Sequence, residues 1–146
     1  MTEALTLDFE VRCDVAHAFD VWTARTSMWW PPDHTVSGGP KIEVTIEPRV
    51  GGRIFERTPD GTEHDWGEVT VWEPPRRLGY VWHIGQARAD ATDVVITFET
   101  TAEDVCRVSI VHTGWERLGD RAQARRNGNQ AGWAAVLPRY VAAATA

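Results

Sequence analysis

A chain of 146 residues is the size of one domain, expected here to span 1–146, and folding such a chain buries roughly two thirds of its unfolded surface. Its 21 acidic against 15 basic residues give a formal net charge of −6, which argues against the basic face that a nucleic-acid partner favours. Eight tryptophans against four phenylalanines and two tyrosines point to a roomy interior or a surface for flat ligands, since leucine and valine suffice to fill a core.

The first residues carry acids where a signal peptide needs bases, and no apolar run reaches transmembrane length, so no membrane insertion is expected. Leu5, Leu7, Phe9 and Val11 alternate with Thr6, Asp8, Glu10 and Arg12, the period of a strand with one buried face. Asp14 is placed to cap a helix whose apolar positions Val15, Ala18, Phe19 and Trp22 recur at helical spacing to about Thr23. His17 reads as a solvated side chain on it. A short turn from Thr26 to Trp30 stops at Pro31-Pro32, because a proline pushes the preceding residue out of the helical region. Residues 33–40 then form a loop.

From Lys41 onward hairpin follows hairpin. Ile42, Val44 and Ile46 alternate; 48–52 turn the chain; Arg53 to Arg57 run back; Pro59-Asp60-Gly61 turn again. Strands follow from His64 to Trp72 and from Leu78 to Ile84, then a polar loop to Thr92, then alternations at Val94, Ile96, Phe98 and at Val108, Ile110, His112. Cys13 and Cys106 lie in apolar settings without Cys-x-x-Cys spacing and read as free thiols, hence a reducing, cytoplasmic compartment. In the last stretch Trp133, Val136, Leu137, Tyr140 and Val141 recur every three or four residues, one buried helical stripe. Asn127-Gly128-Asn129 predicts a break, dividing the helix into about Leu118 to Arg126 and about Gln130 to Ala143, and Pro138 should loosen its end. So divided, the closing segment would be a gate. Arg121, Arg125 and Arg126 read as a solvated basic patch. Strand, short helices, six strands and a long helix make an α+β order.

The runs Pro48-Arg-Val-Gly-Gly-Arg53, Asp60-Gly61, Trp66-Gly67-x-Val69, Trp72-Glu-Pro-Pro-Arg-Arg-Leu78, Tyr80-x-Trp82, His112-x-Gly-Trp115 and Gly132-Trp133-x-x-x-Leu137 resemble homologues of the heat-shock-protein-ninety ATPase activator, within the START and birch-pollen-allergen-like (SRPBCC) superfamily. The resemblance covers nearly the whole chain. It implies a helix-grip fold: a curved antiparallel sheet of seven strands wrapped around the long C-terminal helix, with a cavity between them and short helices after strand one. It implies little about activity, because relatives include lipid carriers, hormone receptors, cyclases, aromatases and co-chaperone domains.

Candidate site residues follow from facing. If Asp60-Gly61 form a two-residue turn, Glu56 faces Asp65 and Ile54 faces Gly67, and Gly52, Ile54, Glu56, Asp65, Gly67 and Val69 share the inner phase. Arg53, Phe55, Arg57, His64, Trp66 and Glu68 then face outward, with Arg53 opposite Glu68. Two facing carboxylates on a cavity wall would raise at least one pKa and could serve as acid, base or ligand anchor. His112, in phase with Val108 and Ile110, points inward, as do Tyr80 and Trp82; Trp30 precedes the entrance loop and Trp133 lies on the buried helical stripe. Trp30, Glu56, Asp65, Tyr80, Trp82, His112 and Trp133 are therefore the candidate ligand-binding residues. The scattered histidines fit no metal frame, and neither a nucleophile elbow nor a phosphate loop occurs, so no metal and no cofactor are expected. The expected function is binding of a small hydrophobic or aromatic molecule. The alternatives are a cyclase-, aromatase- or hydrolase-like enzyme using Glu56 or His112, and a heat-shock ATPase co-chaperone. A homodimer is compatible with this reading, and a chaperone partner fits less well, since the additional N-terminal domain of the eukaryotic activator is missing from these residues.

Overall fold

The computed structural model describes residues 2–145. Strand β1 (Leu5–Val11) leads into two short helices, α1 (Val15–Thr23) and α2 (Thr26–Trp29), the first capped as expected by Asp14, whose carboxylate accepts from the His17 amide at 2.8 Å. Six strands follow: β2 (Glu43–Ile46), β3 (Arg53–Arg57), β4 (Glu63–Glu73), β5 (Arg77–Trp82), β6 (Thr92–Ala102) and β7 (Val105–Thr113). They form one seven-stranded antiparallel sheet in the order β1-β7-β6-β5-β4-β3-β2. Helix α3 (Ala122–Thr145) lies against it, so the architecture is the α+β helix-grip fold that the sequence implies.

Alternation decides which face the helix grips. Val94, Ile96 and Phe98 of β6 pair opposite His112, Ile110 and Val108 of β7, and all six are buried on one face with Leu78, Tyr80 and Trp82 of β5. Helix α3 meets that face with Trp133, Val136, Tyr140 and Ala144, so its own periodicity and the strands' find each other. Tyr140 is completely buried; its hydroxyl donates to the Ala18 carbonyl at 2.8 Å and its ring centroid lies 4.7 Å from that of Trp22, locking α3 to α1. Burying such an aromatic side chain contributes about 1.5–3 kcal/mol. Both cysteines are free, and burial raises their thiol pKa values, that of Cys13 to about 11, which makes them poor nucleophiles.

Two local expectations are overturned. The β3–β4 connection is a three-residue loop, Pro59-Asp60-Gly61: the Thr58 amide donates to the Thr62 carbonyl at 2.9 Å, and Gly61 takes the left-handed conformation at φ 89°. That one extra loop residue pairs Glu56 with His64 and Phe55 with Asp65; a bulge at Trp66 then returns the register to the expected Ile54 opposite Gly67 and Arg53 opposite Glu68. Across the bulge the facing flips, so Trp66 is buried and Asp65 exposed. The second concerns α3, which runs unbroken through Asn127-Gly128-Asn129. The two asparagines bond along the helix, Asn127 accepting from the Gln123 side chain at 3.0 Å and Asn129 donating to the Arg125 carbonyl at 2.9 Å, so they do not compete with its backbone ladder. The break falls earlier, at Gly119 (φ 57°, ψ −124°), inside a 3₁₀ lead over Trp115–Arg121. Pro138 is accommodated inside α3, where the carbonyl it cannot serve belongs to exposed Ala134.

Candidate functional site: a tryptophan-lined cavity

A cavity of about 300 Å³ lies between the end of β5, the segment after α2 and the first four turns of α3. Trp30, Trp82 and Trp133 form its walls with Ile84 and Val136, and His34, Gln86, Arg125 and Asn129 supply its polar groups. Each wall is fixed by its own element. Trp30 follows the last turn of α2, where Pro31 holds it extended; its indole N–H donates to the His34 carbonyl at 3.0 Å, and its ring lies 5.1 Å from that of Trp66 and 5.8 Å from that of Trp82. Helix α3 contributes Arg125, Asn129, Gly132, Trp133 and Val136 at helical spacing, with Gly128 on the same side. A Cβ atom added at Gly128 or Gly132 would meet nothing within 4 Å, so neither glycine is there to relieve a clash. The missing side chains leave room for the cavity.

Behind the walls runs a hydrogen-bonded chain. The Trp133 indole donates to His112 Nδ1 at 3.1 Å, which puts the imidazole proton on Nε2; that N–H donates to Thr92 Oγ1 at 2.7 Å, and the Thr92 hydroxyl reaches the Trp82 carbonyl at 3.4 Å. His112 is fully buried, with Trp115 stacked 4.3 Å away. Burial, reinforced by the positive charge of Arg125, pushes its pKa down to about 3. The imidazole is neutral, and both of its nitrogens are occupied.

Glu56 is likewise fully buried and fully used. Its carboxylate accepts from Trp66 Nε1 at 2.7 Å, from the Val36 amide at 2.6 Å, and from the Ser37 amide and hydroxyl at 3.1 and 2.7 Å. Burial alone would raise its pKa, but the four donors outweigh it and hold the group below the usual carboxylate value. Its role here is to staple residues 36–37, which follow the cavity wall, to β3.

The seven sequence-named residues thus separate. Trp30, Trp82 and Trp133 meet at the cavity. His112 lies one hydrogen bond behind it. Tyr80 sits deeper, against a void of about 10 Å³ shared with Trp22 and Trp66, and burial pushes its phenol pKa upward, so it stays neutral. Glu56 is inside, as expected, but away from the cavity lining. Asp65 is corrected outright: the extra loop residue turns it outward, where Arg53 holds it at 2.7 Å, and the predicted carboxylate pair does not form. The expected solvated patch is corrected in part, because Arg125 lines the cavity and donates to the Asp90 carbonyl at 3.0 Å. Arg125, Asn129 and Trp133 stand four residues apart, a signal legible once the helix is read as continuous. Ile84, expected as the last residue of the strand from Leu78, lies just past the end of β5 at Trp82, and Gln86 comes from a loop with no period to read. No group of metal ligands occurs among the described residues.

Comparison with known proteins fits this fold. No curated protein sequence matches. Among solved structures, the anthrahydroquino-γ-pyrone synthase Txn09, solved in complex with a compound designated SUM, is 32% identical over 84% of both chains with a TM-score of 0.60. The self-sacrificing resistance protein CalC from Micromonospora echinospora shares the fold at a TM-score of 0.73 with 24% identity, over 97% of this chain and 93% of that one. An HSP90 activator from Plasmodium falciparum shares it at 0.54 with 16% identity, over 75% and 71%. The family model for Activator of Hsp90 ATPase homolog 1-like protein matches residues 12–144, which takes in the sheet, the cavity and nearly all of α3; the chain belongs to that family.

Proposed function

We propose that the protein binds a small, flat, hydrophobic or aromatic molecule in the cavity between β5 and α3, as one ligand-binding unit spanning residues 1–146 in a reducing, cytoplasmic setting. The observation that carries this reading is the pair of helix-interior glycines, Gly128 and Gly132. Each costs the helix about 1 kcal/mol relative to alanine, with no packing need for the smaller residue, and the space they leave is faced by three indole rings. The likeness to a synthase solved with a bound compound supports the same ligand class. An acid or base role for Glu56 or His112 gains no support, since both side chains are saturated with hydrogen bonds and neither lines the cavity. The co-chaperone alternative draws on family membership alone.

Titration with 9,10-anthraquinone-type compounds, followed by tryptophan fluorescence, tests the reading. Saturable quenching is expected in the wild type, weakened at least about tenfold in Gly132→Leu, whose Cβ meets nothing within 4 Å and whose added bulk takes up space at the cavity lining. Absence of saturable quenching, or quenching indifferent to Gly132→Leu, overturns it.

A further inference from the structure

We propose that the ligand of this cavity is an anion, a flat aromatic body bearing a carboxylate or phenolate that Arg125 receives. The inference rests on the binding reading above and adds the charge. The chain carries 21 acids against 15 bases, yet no Asp or Glu lines the cavity, and Arg125 is its one permanently charged residue. Among the described residues Arg125 has no carboxylate within 4.0 Å and spends a single donor, Nη2 to the Asp90 carbonyl at 3.0 Å. A guanidinium has five N–H donors, so Nε and Nη1 remain open. The nearest acid is already engaged: Arg121 takes both Asp90 carboxylate oxygens, at 3.1 and 3.4 Å.

Burial lowers the pKa of Arg125, the mark of a charge kept partly out of water without a full counter-ion from the protein. A ligand carboxylate would supply that counter-ion in the fork geometry that guanidinium favours. A second uncommitted donor belongs to another lining residue. The Trp30 and Trp133 indole N–H groups are committed to His34 and His112, but Trp82 Nε1 has no acceptor among the described residues. Arg125 and Trp133 stand eight residues apart on α3, about 12 Å along its axis, which suits two or three fused rings with an acidic group at one end. The rings would rest among the tryptophans and the acid would reach the first turn of the helix.

The test uses a matched pair, 2-naphthoate and the neutral isostere 2-naphthamide, titrated calorimetrically into the intact protein at pH 7.5. Naphthoate should bind at least about tenfold tighter, the lower range of a hydrogen bond to a charged group. That preference should shrink as salt rises from about 0.01 M to 1 M. It should collapse to near unity in Arg125→Gln and survive in Arg125→Lys, and the wild-type pair with its salt series stands even if Arg125→Gln fails to fold. Equal wild-type affinities for acid and amide would overturn the anion while leaving cavity binding intact. A preference that persists in folded Arg125→Gln would overturn the assignment to this residue, and binding of neither probe would overturn both readings.

Discussion

His112 and Glu56 differ in chemistry but make the protein sensitive to acid in separable ranges. The folded-state pKa of His112, about 3, lies below its ordinary value of 6.5, so between those limits the folded protein holds fewer protons than the unfolded chain and stability falls as pH falls. By pH 5 the loss amounts to about 2 kcal/mol. Glu56, also held below its ordinary value of 4.5, withdraws its contribution only further into acid, as pH drops through its folded-state pKa. Between pH 6.5 and 5, therefore, His112 is the one of the two that acts. Urea midpoints measured across that interval should decline in the wild type, and the slope should flatten in His112→Gln, whose amide can still accept from Trp133 and donate to Thr92. A slope that His112→Gln leaves unchanged would remove His112 from the acid response.

At the scale of elements, the strands and the capped helix α1 were legible because alternation and a cap are local signals. Two features were not. The β3–β4 loop length depends on whether Gly61 adopts a left-handed conformation, and the bulge at Trp66 depends on the indole finding Glu56 across the sheet; neither leaves a mark on hydrophobic period. Asp65 was misplaced for that reason, while Ile54 and Gly67, beyond the bulge, were paired correctly. Asn127-Gly128-Asn129 carries a turn composition, and tertiary packing with side-chain bonding along the helix overrides it. A continuous α3 makes a wall rather than a gate. Amide exchange through residues 127–137 should be strongly slowed without ligand, and Gly128→Ala should raise stability by up to about 1 kcal/mol. Rapid exchange there would restore the gate.

Across the whole molecule, a chain with a net charge of −6 keeps its acids out of one cavity and places a cation there. Three of its eight tryptophans line that space, and Trp66 stands behind Trp30 and Trp82 while bonding to the Glu56 staple. About half of the sequence's excess of indole thus gathers at this cavity, the rest packing elsewhere, as Trp72 does against Phe19. The excess was readable as a count, whereas Arg125 required knowing which side of α3 faces inward, and Gln86 required a loop that no periodicity describes.

The chain from Trp133 through His112 and Thr92 to the Trp82 carbonyl joins the helical wall of the cavity to its sheet wall from behind. Three polar contacts tie the Trp133 indole to the backbone of Trp82, the helix wall to the end of β5. Under the proposed binding mode this chain would act as a spacer, and ligand thickness would be gauged from behind the lining. Thr92→Val cuts the spacer while preserving side-chain shape and every lining residue, and it should relax the preference for flat over puckered ring systems, read as the ratio of affinities for naphthalene and decalin carboxylates. An unchanged ratio would mean that packing alone sets the width.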